Sequence, residues 1–230
     1  MLNGIQIDRL SFGYRGTDVF TEFTLAIPGG ATTAVIGSNG SGKSTLLGLI
    51  AGTLRPEQGT IDARGADEVA LAVQHSQVSD TFPITVAEAV AMGRWRRLGL
   101  LKRLSSTDRD IVDYWISELG LDELRKRRLG DLSGGQRQRT LLAQTFAQES
   151  PVVLLDEPTV GLDSQSWDRV SRQIHRLVAS GTTVVAATHD VAMARGFDRC
   201  VLLGGGEVLA SGAPADVLTE SNLAAALTLG

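Results

Sequence analysis

A single cysteine, Cys200, serves the whole 230-residue chain, so a disulfide within it is impossible and a reducing compartment suits its chemistry. Basic residues are not in excess. Twenty-two Lys and Arg stand against 26 Asp and Glu, and the net charge of −4 gives no sign of nucleic-acid binding. Long apolar runs are missing as well. The stretch from Phe23 to Gly42 lacks charge, but Pro28, five glycines and Asn39 interrupt it, so no membrane span is expected. No basic region leads into an apolar core at the start, so no signal peptide is expected. With a short helical tail at the end, no C-terminal regulatory domain is expected. The three histidines are too scattered for a metal-ligand cluster, and there is no internal repeat or low-complexity segment. What remains is an ordinary globular composition, 43% apolar and 21% charged, with enough chain for one large domain that includes an inserted lobe. Any membrane role has to come through a partner.

The densest chemical signal is the run Gly37, Ser38, Asn39, Gly40, Ser41, Gly42, Lys43, Ser44 and Thr45. Apolar residues at 33–36 precede it and at 46–50 follow it, which predicts strand, glycine-rich loop and helix. The pattern G-x-x-x-x-G-K-[ST] in that context is a nucleotide triphosphate site. Its glycines let successive N–H groups point at one anion, and the helix N-terminus adds its dipole. Lys43 supplies a point charge for the outer phosphates and Ser44 a hydroxyl for Mg²⁺. A turn that merely caps a helix explains the glycines but not Lys-Ser at this offset.

Ile5, Ile7, Leu10 and Phe12 predict an opening strand, and Phe23, Leu25 and Ile27 a second. The helix from Lys43 stops near Gly52, residues 56–59 read as a turn, and residues 69–73 as a short strand. From about residue 80 to 150 the texture turns helical. Thr85 and Glu88 form a capping-box pattern; Ile111, Val112, Trp115, Ile116 and Leu119 share one face, with Gly120 where a C-terminal cap belongs. The basic residues from Arg94 to Arg103 and from Arg125 to Arg128 read mostly as a solvated face, with an interaction surface as the alternative. Strand and helix alternate again after Pro151, ending in a hairpin around residues 204–206. The fold class is therefore α/β, a mostly parallel sheet with a helical insertion. One domain over 1–230 is expected, with 1–79 and 151–230 as the core and about 80–150 as a helical subdomain.

The strand at 152–155 delivers Asp156 and Glu157 at its C-terminal end, the edge of an open sheet where ligands sit. Asp156 is the candidate to hold Mg²⁺ beside Ser44. Glu157 is the candidate to polarise a water for attack on the γ-phosphate. The rarest signal is Leu132, Ser133, Gly134, Gly135 and Gln136, a helix start with glycines that allow close approach of an anion.

At LSGGQ the chain resembles the nucleotide-binding subunit of ATP-binding-cassette (ABC) transporters, and the resemblance runs over essentially its whole length. It implies the ABC ATPase fold: a P-loop NTPase core with N-terminal antiparallel strands and an inserted helical subdomain, binding ATP and Mg²⁺. By match to the family's motifs, Tyr14 falls where an aromatic ring stacks on adenine, and Gln74 where a glutamine joins the Mg²⁺ and water site to the helical lobe. Asp163 falls in the loop that crosses to a partner subunit, and His189 at the switch histidine that contacts the γ-phosphate. The resemblance also implies that each ATP lies between the phosphate loop of one chain and the LSGGQ of another. With one of each here, a second copy is the simplest partner.

A free-standing ATPase leans towards import through a separate membrane permease, fed by an extracytoplasmic solute-binding protein. Such a subunit would sit on the cytoplasmic face of the cell membrane. Residues 80–86 with Met92-Gly-Arg94 and Thr107-Asp-Arg109 resemble the zinc and manganese uptake branch. The branch for iron-siderophore, haem or cobalamin uptake is the alternative. A soluble ABC ATPase acting on DNA or ribosomes would usually show a heptad insertion or two cassettes, and a small-molecule kinase would leave LSGGQ and His189 unexplained. Phe82, ahead of Pro83, is the expected apolar anchor for the permease, with packing in the core of the helical lobe as the alternative.

Overall fold

The computed structural model describes residues 4–63, 69–73, 83–98 and 103–228; Gln74 and Phe82 lie outside them. The chain forms two compact units. One takes Met1–Leu71, Pro151–Glu157 and Leu177–Gly230, the other Ala72–Ser150 and Pro158–Arg176.

In the first unit, β1 (Ile5–Tyr14) and β2 (Thr17–Ile27) pair antiparallel, and β1 also pairs with β4 (Gln58–Ala63), giving the order β2-β1-β4. The second sheet runs β5-β6-β7-β3-β8-β9, from β3 (Thr32–Gly37), β5 (Val69–Ala72), β6 (Val152–Asp156), β7 (Thr183–Thr188), β8 (Arg199–Gly204) and β9 (Glu207–Gly212). The pairs β6–β7, β7–β3 and β3–β8 are parallel, and β8–β9 is the expected antiparallel hairpin. Every residue of β3, β6 and β7 is buried. That is why they read as unbroken apolar runs, whereas β1 and β2 alternate. Helix α1 (Lys43–Ile50) shows no apolar stripe because Leu46, Leu47, Leu49 and Ile50 are all buried. They share one core with Ile7, Phe20 and Leu25 of the antiparallel sheet and Leu154, Val185 and Val201 of the parallel one.

The strand β4 corrects the turn expected at 56–59. Ile61 is its only large apolar residue and its burial never exceeds intermediate, so little period-2 signal exists to read. Gly59 sits within it at φ +83°, and a Cβ there would run into the backbone carbonyls of Asp8 and Arg9. The glycine faces a bulge in β1, where Asp8 pairs with Thr60 but Ser11 with Gln58, and a glycine at such a point resembles a turn.

The second unit is helical: α2 (Val86–Met92), α3 (Trp95–Leu98), α4 (Ser106–Glu118), α5 (Gly134–Phe146) and α6 (Ser164–Ala179), the last belonging to it as far as Arg176. Helices α2, α4 and α5 each start on a complete capping box, Thr85 with Glu88, Ser105 with Asp108 and Ser133 with Gln136. Gly120 takes φ +63° just past α4, and Arg139 donates to the carbonyls of Leu119 and Gly120, completing that helix end.

Arg94 corrects the reading of its basic stretch as solvated. Arg96 and Arg103 are exposed, but Arg94 is 5% exposed. Its Nε donates to Asp108 Oδ1 at 3.0 Å, and Nη1 to the Ala147 carbonyl at 2.7 Å and to Glu149 Oε2 at 2.8 Å. Hydrogen bonds from Ser105, with Arg94 beside it, hold the Asp108 carboxyl below its usual range. A Cβ on Gly93 would strike the Gln144 carbonyl, so that glycine lets α2 end against α5. Arg94→Ala, which strands the Asp108 charge, should lower stability by about 3–5 kcal/mol. Urea denaturation of the full chain beside Arg94→Lys checks this, the lysine keeping part of the loss back.

Candidate functional site

The parallel sheet brings three charged side chains to one edge of the first unit. Lys43 is 6% exposed, Asp156 5% and Glu157 9%. Each follows from register, since β3 ends in the phosphate loop and β6 ends in Asp156. Nζ of Lys43 donates to the Gly37 and Ser38 carbonyls, both at 2.8 Å, so the ammonium is folded into its own loop. Burial lowers its pKa, and the nearby Glu157 and Asp156 charges push the other way. Gly40 and Gly42 take φ +88° and +95°, which the loop's curl requires. A Cβ on Gly42 would also meet the Phe20 ring at 2.7 Å.

Two features mark the loop as a cradle for an anion. The N-cap of α1 is Gly42 and no side chain caps it, in contrast to the three boxed helices of the other unit. Its first N–H groups therefore have no side-chain acceptor. The hydroxyls of Ser38 and Ser41 are buried without a protein partner. Asn39, Gly40 and Ser44 are exposed, and Thr45 is half-buried.

Ser44 Oγ donates to Asp156 Oδ1 at 3.1 Å, which joins two of the three residues expected at Mg²⁺, the third being Gln74. Burial, with the Glu157 charge added, raises the Asp156 pKa, while Ser44 and Lys43 offset part of that. A cation beside this carboxyl would relieve the burial cost of its charge. Among the described residues no group of three or more His, Cys, Asp or Glu forms a metal cage.

Glu157 follows β6 at φ +49°, left-handed for a non-glycine residue, and its N–H donates to the Ala187 carbonyl at 2.9 Å. Nδ1 of His189 lies 2.9 Å from Glu157 Oε1, and the Thr188 hydroxyl donates to Oε2 at 3.4 Å. The carboxylate is buried but the His189 side chain is 64% exposed. Nothing in the chain's periodicity pointed to this pair. The signal available was only that both residues end neighbouring parallel strands.

Tyr14 ends β1 and is half exposed, its ring edge against Phe12 at 4.9 Å between centroids. Ser133, Gly134, Gly135, Gln136 and Asp163 lie in the other unit. Ser133 Oγ accepts from the Gln136 N–H at 3.3 Å, and Gln136 Oε1 accepts from the Ser133 N–H at 3.1 Å. The two glycines differ. A Cβ on Gly135 would strike the Gly161 carbonyl, while one on Gly134 would meet open space. Asp163 is exposed and accepts from the Ser166 N–H at 2.8 Å; the Ser166 side chain first, and this N–H after it, hold its carboxyl below the usual range.

A family model described as ABC transporter matches residues 20–160. A manganese transport system ATP-binding protein, MntA of Synechocystis sp., is 34% identical over 95% of this chain and 88% of its own. A hemin import ATP-binding protein, HmuV of Rhodopseudomonas palustris, is 35% identical over 97% of this chain and 88% of its own. A solved structure of a metal-chelate type ABC transporter in an inward-facing conformation superposes with a TM-score of 0.86. It is 32% identical and the match covers 99% of this chain and 90% of that one.

Asp156 supplies a pH-dependent test of this edge. Its raised pKa means that the native state holds its proton more tightly than the unfolded state does. Its charge therefore costs stability as pH rises through and above the carboxylate range. Asp156→Asn should melt higher than the parent near pH 7, converge with it at acid pH, and lose the stabilisation that ATP with Mg²⁺ gives the parent. Thermal melts across pH, with and without nucleotide, check all three.

Proposed function

This chain belongs to the ABC transporter family and is an ATPase of it, and from that premise we propose that it powers uptake of a metal ion, zinc or manganese, through a separate membrane permease. The observation that carries the metal is the manganese transport relative, similar over 95% of this chain. No helix among the described residues is long and apolar enough to cross a membrane. We infer a peripheral place on the cytoplasmic face of the membrane, two copies per transporter, and an extracytoplasmic binding protein that supplies the ion.

In this reading the phosphate loop from Gly37 to Thr45 binds the ATP phosphates through its N–H groups, with Lys43 turned from its loop carbonyls onto the outer phosphates. Tyr14 carries the adenine. Ser44 and Asp156, with Gln74, would hold Mg²⁺, which screens phosphate charge. Glu157 orients a water in line with the γ-phosphate and takes its proton; His189 donates to Glu157 and faces the same phosphate. Ser133, Gly134, Gly135, Gln136 and Asp163 contact the nucleotide held by the second copy. The buried carboxylates and the uncapped start of α1 support these roles.

A second reading, uptake of haem or another iron chelate, is favoured by the hemin import relative, equally similar to this chain. The substrate is decided outside this subunit, so the discriminating measurement is transport. Reconstituted with its permease and binding protein, the ATPase should drive manganese or zinc into proteoliposomes, and accumulation of haem alone would transfer the assignment. Glu157→Gln should bind ATP normally and hydrolyse it about 10²–10⁴-fold more slowly. Lys43→Ala should weaken binding itself. Near-normal turnover in Glu157→Gln would remove Glu157 from the chemistry.

A further inference from the structure

The last residue of β7, Thr188, is fully buried and has no part in the sequence motifs discussed above. Its place is unusual in what it touches. It pairs across the sheet with Ile36, the residue before the phosphate loop, and it precedes His189. Its hydroxyl oxygen accepts from the Asp190 N–H at 3.0 Å. A threonine hydroxyl has one proton to give, and here it goes to Glu157 Oε2, at 3.4 Å. The other oxygen, Oε1, takes Nδ1 of His189 at 2.9 Å. Asp190 in turn accepts from the Met193 N–H at 3.0 Å, which caps the short helix Val191–Arg195. One side chain thus ties the Glu157 carboxylate and the turn that carries His189 to a common point.

We propose that Thr188 is a positioning residue for the hydrolytic step: its hydroxyl holds one Glu157 oxygen and the Asp190 N–H together, fixing how Glu157 and His189 face the γ-phosphate and its water. The proposal rests on the reading of Glu157 as the group that orients that water. A carboxylate free to turn about its last bond presents its lone pairs over a wide arc. Anchoring one oxygen on a sheet residue and the other on His189 restricts the arc before nucleotide arrives. Glu157 has a left-handed backbone that its neighbours must hold in place, so support from the adjacent strand has a direct purpose. Catalytic constellations lose on the order of 100-fold for a misplacement of about 1 Å.

The test is a set of full-chain variants measured for kcat, KM, ATP affinity and melting temperature. Thr188→Val keeps shape and removes the hydroxyl, and Thr188→Ser keeps the hydroxyl. The proposal expects Thr188→Val to lower kcat about 10- to 100-fold with KM and ATP affinity within about twofold, and Thr188→Ser to restore most of the rate. In a Glu157→Gln background, Thr188→Val should cost nothing further, since it acts through that carboxylate. Parent-like kcat in Thr188→Val overturns the proposal, and so does a serine variant as slow as the valine one. Should Thr188→Val fail to fold, Thr188→Ala takes its place with the same two outcomes. Normal hydrolysis in Glu157→Gln alone would instead bring down the underlying reading of Glu157, so the two failures are distinguishable.

Discussion

The structure of the nucleotide edge depends on one electrostatic constraint: an ammonium and two carboxylates held almost out of water at the end of a parallel sheet. Lys43, Asp156 and Glu157 would each be costly to bury alone. Together they offset one another, as the opposed influences on Lys43 show. The offset is incomplete at Asp156, where burial first and the Glu157 charge after it make the carboxyl hold its proton more tightly. The backbone pays around it with positive φ at Gly40, Gly42 and Glu157. In the proposed function, Mg²⁺ arriving with a triphosphate would relieve that burial cost.

The helical unit solves a different problem, how to hold several short helices in a fixed arrangement with a modest core. Its apolar centre includes Val90, Trp115, Ile116, Leu142 and Phe146, with Trp115 and Phe146 in ring contact at 5.1 Å between centroids. Arg94 adds direction to that packing. From the end of α2 it reaches the first turn of α4 and the end of α5 with fixed donor geometry, which a lysine lacks. This gives a physical meaning to two motifs read first as branch markers. Met92-Gly-Arg94 and Thr107-Asp-Arg109 supply the two halves of one buried ion pair, and Gly93 permits the approach that brings them together.

Much of this was legible in the chain because local chemistry and tertiary structure agree there. The phosphate loop, the strand ending in Asp156, the Thr85 box and the closing hairpin all carry short-range patterns that burial then reinforced. The failures share a cause, which is that their meaning is set by partners distant in sequence. Arg94 looks like any surface arginine until Asp108 and Glu149 are placed beside it. Gly59 reads as a turn until the β1 backbone is seen against it. At the candidate site, residue types were readable, but the contact between Glu157 and His189 spans 32 positions and has no period to betray it. The Thr188 hydroxyl is harder still, since a threonine at the end of a strand is ordinary by β-propensity alone.

The two helix starts that the proposed function gives to nucleotide lie in different compact units of this chain: an uncapped start beside buried charges, and a capped start at Ser133 with Gly134 open to its surroundings. A two-fold pair of chains would join each start to its complement, and ATP would be the link between them. The most direct measurement is the sedimentation mass of the full-length Glu157→Gln protein with ATP and Mg²⁺, where hydrolysis cannot dissolve the pair. The account predicts a dimer with nucleotide and a monomer without it. A monomer at saturating ATP and Mg²⁺, with the permease present as well as absent, would contradict it.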